Sequence, residues 1–191
     1  MRTASVLLVA VGIGLMLLGC GGSPETLQSV PAGDIPEWFT NPPSDPNYLF
    51  APSTATSQDL QLAIDKATTA ARTEVGRQME VRVQGIQKKF EEEVGTGADA
   101  QMLSQFTQAS KTVVSTTLNG SKVKSQKQVQ EGNMWRAYVL VQLPVGAAAD
   151  ALLKSMKANN QTYTRFRATE TFKELNEEAE KYEAFKKAQG Q

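Results

Sequence analysis

The chain has 191 residues, 40% of them hydrophobic and 21% charged, which suits one globular domain with short processed or connecting segments. Twenty basic and twenty acidic side chains cancel, leaving no net-charge footprint for nucleic acid or a polybasic membrane contact. The absence of His removes Ser-His-Asp and Cys-His nucleophile pairs and two-His metal motifs, and the single Cys removes an internal disulfide and an all-Cys zinc site.

Arg2 precedes an apolar run, Val6 to Leu18, of 13 residues. That is shorter than the roughly 20 residues a membrane-spanning helix needs, and it is the size of a signal-peptide core. Leu17, Leu18 and Gly19 then lead into Cys20, which reads as a lipobox: an aliphatic residue three before the thiol, a small residue just before it, and a cysteine to accept diacylglycerol. Residues 1–19 are therefore expected to be a lipoprotein signal and Cys20 the lipidated first residue. Several acyl chains, palmitate among them, suffice for stable anchoring. Gly21 at the next position, in place of Asp, favours sorting to the outer membrane.

Residues 20–47 carry six prolines and few aliphatics and read as a lipidated, extended tether. Its exception is Pro36-Glu37-Trp38-Phe39, whose aromatic pair is expected to clasp the following domain, with a partner-binding peptide as the alternative. Tyr48 to Thr56 has strand composition, and Pro52 within it marks an edge or a bulge. Ser57, with Asp59 behind it, is the expected cap of one long amphipathic helix carrying Leu60, Ile64, Ala67, Ala71, Val75, Met79, Val83, Ile86 and Phe90. Small residues Ala63, Ala67, Ala70 and Ala71 predict close packing of its first half on a sheet. Gly95-Thr96-Gly97 ends it.

A second helix begins near Asp99, with Met102, Phe106, Ala109 and Val113 on one face, and breaks at Asn119-Gly120. Lys122 to Gln130, the turn Glu131-Gly132-Asn133 and Met134 to Leu143 make a hairpin. Trp135, Ala137, Val139, Val141 and Leu143 form the face that should meet the long helix; Met134, Arg136, Tyr138, Leu140 and Gln142 form the other. Val145 to Met156 is helical, and one charged helix is expected from about Thr162 to Ala188, with Phe166, Phe172, Leu175, Ala179 and Tyr182 near a common stripe. The predicted fold is α+β: a small, mainly antiparallel sheet of about three strands packed by a long helix, in a domain over 48–144, with a C-terminal helical extension over 145–191.

Lipobox Cys20, Pro36-Glu37-Trp38-Phe39, the helix segment Ala67-Thr68-Thr69-Ala70-Ala71-Arg72, and Trp135-Arg136-Ala137-Tyr138-Val139-Leu140-Val141-Gln142-Leu143-Pro144 occur in an order that resembles the twenty-kilodalton bacterial outer-membrane lipoprotein family, Lpp-twenty. Similar domains form the N-terminal part of flagellar assembly protein T. The resemblance implies a compact α+β domain in the cell envelope and no established enzymatic activity.

No catalytic or metal-binding residue and no cofactor is expected. Glu91, Glu92 and Glu93 read as a solvated helix end, and Glu174, Glu177 and Glu178 as partners of Lys173 and Lys181 on their own helix. Lys122, Lys124 and Lys127 read as guards of an exposed strand edge, not as a nucleic-acid surface. Trp38, Phe39, Trp135 and Tyr138 are the candidate structural or interface residues. The functional expectation is a lipid-anchored, periplasm-facing, non-enzymatic protein that binds other envelope proteins, in flagellar or other envelope assembly. A periplasmic enzyme acting on cell wall or lipid, and a surface-exposed adhesin or antigen, are the alternatives.

Overall fold

A long amphipathic helix needs an apolar surface to cover, and the hairpin and first strand supply it. The computed structural model describes residues 35–95 and 99–188. The elements in order are α1 (Glu37–Thr40), β1 (Tyr48–Ser57), α2 (Leu60–Val94), α3 (Ala100–Thr117), a 3-10 turn (Leu118–Gly120), β2 (Lys122–Glu131), β3 (Met134–Pro144), α4 (Gly146–Met156), α5 (Asn160–Phe166) and α6 (Glu170–Ala188). The three strands form one antiparallel sheet in the order β1-β3-β2, so β1, which carries Pro52, is an edge strand. Its ladder with β3 runs without a register shift from Tyr48 opposite Pro144 to Ser57 opposite Trp135.

Helix α2 lies across β1 and β3. Ala63, Ala67 and Ala71 are fully buried, as are Ala51, Ala137 and Val139 on the facing strands, so small side chains bring helix and sheet together. Ala70 is exposed, contrary to the expected Ala face, because the buried stripe advances by four residues through Ala63, Ala67, Ala71 and Val75. The cap is Asp59 and not Ser57: the Asp59 carboxylate accepts from the Leu62 N–H at 2.7 Å, while the Ser57 hydroxyl accepts from the Asp59 N–H. Gly95 adopts φ +72° and terminates the helix. Gly76 is buried; a Cβ there would stand 3.2 Å from the Leu118 side chain.

Beyond the sheet the core becomes aromatic. Phe90 from α2, Phe106 from α3 and Phe166 from α5 are fully buried, with ring centroids 4.4, 5.5 and 5.7 Å apart, and Phe172 of α6 meets Phe166 edge-on at 5.5 Å. Residues after 144 thus enter the same core through Leu152, Met156, Phe166, Leu175 and Ala179.

The single helix expected over Thr162–Ala188 is two helices. Asn159 caps α5, its side chain accepting from the Gln161 and Thr162 N–H groups, and the chain breaks after Phe166. The Thr169 hydroxyl donates to the Phe166 carbonyl at 2.7 Å and accepts from the Phe172 N–H at 3.1 Å, closing one helix and opening the next. None of the described helices is long and apolar enough to cross a membrane.

Candidate interaction surface

The sheet has two unlike faces. Ala137, Val139, Val141 and Leu143 face α2, with half-buried Trp135 at their end, as the alternation predicts. On the outer face Tyr138 is only 3% exposed and Leu140 is fully buried, although α2 lies on the other side. Their cover includes α1. Pro36, itself buried, enters this one-turn helix in an extended conformation, and the turn is held by the Phe39 N–H donating to the Pro36 carbonyl at 2.9 Å and the Asn41 N–H to the Glu37 carbonyl at 2.8 Å. Phe39 meets Tyr138 edge-on, with centroids 5.0 Å apart and planes at 74°. The aromatic clasp is therefore made by Phe39, with Trp38 half-buried beside it. Of the four candidate aromatics, Phe39 and Tyr138 come together, whereas Trp135 belongs to the opposite face.

The chain then runs to β1 through a turn in which the Asp45 carboxylate accepts from the Asn47 N–H at 2.8 Å. The Asn47 carbonyl accepts from the Val145 N–H at 2.9 Å, so this approach to β1 is tied to the start of α4.

Strand β2 borders the outer face and carries an irregularity that alternation does not reveal. Lys122 pairs with Gln142 and Val123 with Val141, but Ser125 pairs with Leu140, so Lys124 is an extra residue in a bulge. The extra residue shifts the later side chains by one and puts Lys127 opposite Tyr138 on the outer face, the same face as Lys122 opposite Gln142. Lys124 extends its ammonium over the Phe50 ring at 4.5 Å, also on this face. Among the described residues no carboxylate pairs with these three lysines. Glu131, by contrast, is held by Arg136 through bonds of 2.6 and 3.0 Å; that carboxylate raises the Arg136 pKa.

A second concavity, about 450 Å³, lies along α6 and includes Arg82, Glu174, Glu178, Lys181, Tyr182 and Phe185 in its lining. Its charges fasten α6 to α2: Arg82 bonds Glu178 at 2.8 Å, and Lys89 bonds Glu174. The expected pairing of Glu174 and Glu178 with lysines of their own helix is thus replaced by pairing across helices. Nor is Glu93 simply solvated. Its carboxylate accepts from the Glu170 N–H, from the Thr171 N–H at 3.1 Å and from the Thr171 hydroxyl at 2.9 Å, capping α6 from 77 residues away in sequence. Burial pushes its pKa up, but these donors and Lys89 outweigh it and leave the carboxyl below its ordinary value. Asp99 at the start of α3 likewise pairs with Arg165 of α5.

Cys20 and its lipobox residues Leu17, Leu18 and Gly19 lie outside the described residues. The LPP20 lipoprotein model matches residues 36–144, from Pro36 ahead of α1 to the last residue of β3. The chain belongs to the LPP20 lipoprotein family, and so to the lipoproteins of the cell envelope. The matched span includes the Phe39 clasp, both edge strands and the whole outer face. No curated protein matches the chain.

Proposed function

We propose that this protein is anchored to the outer membrane by acyl chains on Cys20, after removal of residues 1–19, and holds a non-enzymatic interaction domain in the periplasm. The observation that carries the reading is the adjacency of anchor signal and family unit: a lipobox cysteine stands 16 residues before Pro36, where the LPP20 match begins. The non-enzymatic part is supported by the fate of the carboxylates along α6, since Glu174 and Glu178 are tied to Lys89 and Arg82 instead of standing ready for proton transfer. Envelope proteins are the partners on this reading, and the flagellar base is one candidate assembly.

The test is metabolic labelling with a clickable fatty acid, followed by separation of inner and outer membranes. The native chain is expected to take up label and to float with outer membrane, and Cys20→Ala to remain an unlabelled precursor. Label on Cys20→Ala would overturn the anchor assignment. Protease added to intact cells should spare the domain; its digestion would transfer the protein to the surface-exposed class. Crosslinking in cells should recover specific envelope proteins, and their absence would remove the interaction role.

A further inference from the structure

The tether joins the domain on a particular side. Pro36 is buried and α1 packs on β1 and β3 with Phe39 against Tyr138, so the chain leading back to Cys20 departs from the outer face of the sheet. Fifteen residue-to-residue steps lead from Cys20 to Ile35. Fully extended they reach at most about 50 Å, close to the roughly 52 Å length of the 35-residue α2. An anchored domain therefore stays within about one domain length of the bilayer.

That outer face also carries three lysines with no ion pair among the described residues. The stretch from Ala100 to Gln130 contains Lys111, Lys122, Lys124 and Lys127 and no carboxylate, an asymmetry hidden by the overall neutrality of the chain. The β2 bulge gathers Lys122, Lys124 and Lys127 on the outer face. Beside them lie half-buried Phe50 and Tyr48, whose ring centroids are 5.9 Å apart, and Lys186 shares a small cleft with Lys122, Tyr48 and Phe185. The acidic groups of this region are partly committed: Glu131 to Arg136, Glu183 to Lys186 and Asp45 to the Asn47 N–H, which leaves Glu37 on α1. Lysines around half-buried aromatic rings match a membrane interface, where ammonium groups meet phosphates and the rings lie at headgroup level.

We propose that the outer face of the sheet, through Lys122, Lys124 and Lys127, rests on anionic phospholipid headgroups of the same leaflet that holds the acyl anchor. This rests on the Cys20 anchoring proposed above. The anchor supplies a high local concentration, so individually weak lysine contacts suffice to orient the domain with its helical layer turned toward partners. Each lysine held at an anionic surface is worth about a fivefold bias toward contact, reduced by salt because the contacts are exposed.

The test uses the full chain purified from the cell envelope, in vesicles of phosphatidylcholine alone or mixed with phosphatidylglycerol. Flotation with the neutral vesicles reads the anchor; pulse acylation with a water-soluble amine reagent, followed by peptide mass spectrometry, reads the face. Lys122, Lys124 and Lys127 are expected to react several-fold more slowly in the anionic vesicles and to recover in high salt. Lys66 and Lys88 on α2 serve as references that should not change. Equal reactivity of the three lysines in both vesicle types overturns the proposal, whether or not the protein floats, and protection that persists in detergent assigns the face to a second copy or another protein instead. Failure to float with neutral vesicles, combined with lysine protection in anionic ones, rejects the acyl anchor and supports the lipid-facing surface. Because the readout is taken on the native chain, it does not depend on a lysine variant folding. A Lys122→Gln, Lys124→Gln, Lys127→Gln chain with unchanged thermal unfolding should still float but lose the difference in flotation between anionic and neutral vesicles; a difference that survives would count against the proposal.

Discussion

Gly146 offers the sharpest test of how α4 and α6 are held. A Cβ built on it would lie 2.4 Å from the Tyr182 Cβ, 3.1 Å from the Tyr182 Cγ and 3.0 Å from the Glu178 carbonyl oxygen. Carbon atoms settle at about 3.5–4.0 Å, so the deficit exceeds about 1 Å. The obstructing atoms are a Cβ and a main-chain oxygen, and neither can be relieved by a rotamer change. Gly146→Ala must displace α6 from α4. Overpacking of this kind costs about 1–3 kcal/mol, and the intrinsic advantage of Ala over Gly in a helix returns at most roughly 1 kcal/mol. The expected net loss is about 1–2 kcal/mol, or roughly 3–6 °C in Tm for a chain of this size. The matched control is Gly85→Ala in α2, where nothing lies within 4 Å of the added Cβ. There only the propensity gain remains, and stability should rise by about 0.5–1 kcal/mol. Thermal and urea unfolding followed by circular dichroism reads both. If the two substitutions shift stability in the same direction, the close approach of α4 and α6 is not a packing constraint and the reasoning fails.

Phe39→Ala removes the ring that covers Tyr138 and should cost about 1–2 kcal/mol, with faster amide exchange across residues 36–41; an unchanged exchange profile would separate α1 from the stability of the sheet. Phe166→Ala empties the centre of the aromatic cluster, and a loss near 3–5 kcal/mol is expected; denaturant melts showing less than about 1 kcal/mol would contradict its full burial. Glu93→Gln weakens the cap on α6 and should cost about 1 kcal/mol at neutral pH. Since the folded-state pKa of Glu93 is depressed, its stabilisation is complete above the ordinary carboxylate value of 4.5 and disappears as pH falls through the folded value, so the gap between Glu93→Gln and the native chain must close in acid. The Glu74 carboxyl, which accepts hydrogen bonds from Arg77 and Gln78, is lowered to about 2; carboxyl-carbon NMR should find it still ionised at pH 3.

The parts of this fold that repeat along the chain could be read from it. A buried residue at every fourth position from Ala63 to Val83, continued by half-buried Ile86 and buried Phe90, specifies α2, and alternation in β3 separates Val139 and Val141 from Tyr138 and Leu140. What periodicity cannot show is a partner distant in sequence. The Glu93 carboxylate looks like any other in a run of three until α6 brings two N–H groups to it, and Glu174 has lysines close by in sequence yet bonds Lys89. The break at Arg167–Thr169 was visible only as Thr169, a residue equally at home inside a helix or at its start. The bulge at Lys124 is a difference of one residue between two ladders, and β2 taken alone contains nothing that announces it. The site is less legible than the fold for the same reason, since three lysines acquire a common face only after that register is set.

The order of synthesis gives Pro52 a second significance. The strand that must pair with β1 is β3, and the nearest partners, Ser57 and Trp135, stand 78 positions apart in the chain. In a polypeptide that emerges N-terminus first, β1 exists long before its mate, while α2 and α3 already have local contacts with which to form. During that interval a ten-residue strand with both sides unpaired is open to association with neighbouring nascent chains. Pro52, halfway along it, lacks the N–H that an intermolecular ladder would require, yet is accommodated without a register shift once Leu140 arrives opposite. The same residue that marks the edge of the finished sheet thus shields the unfinished one.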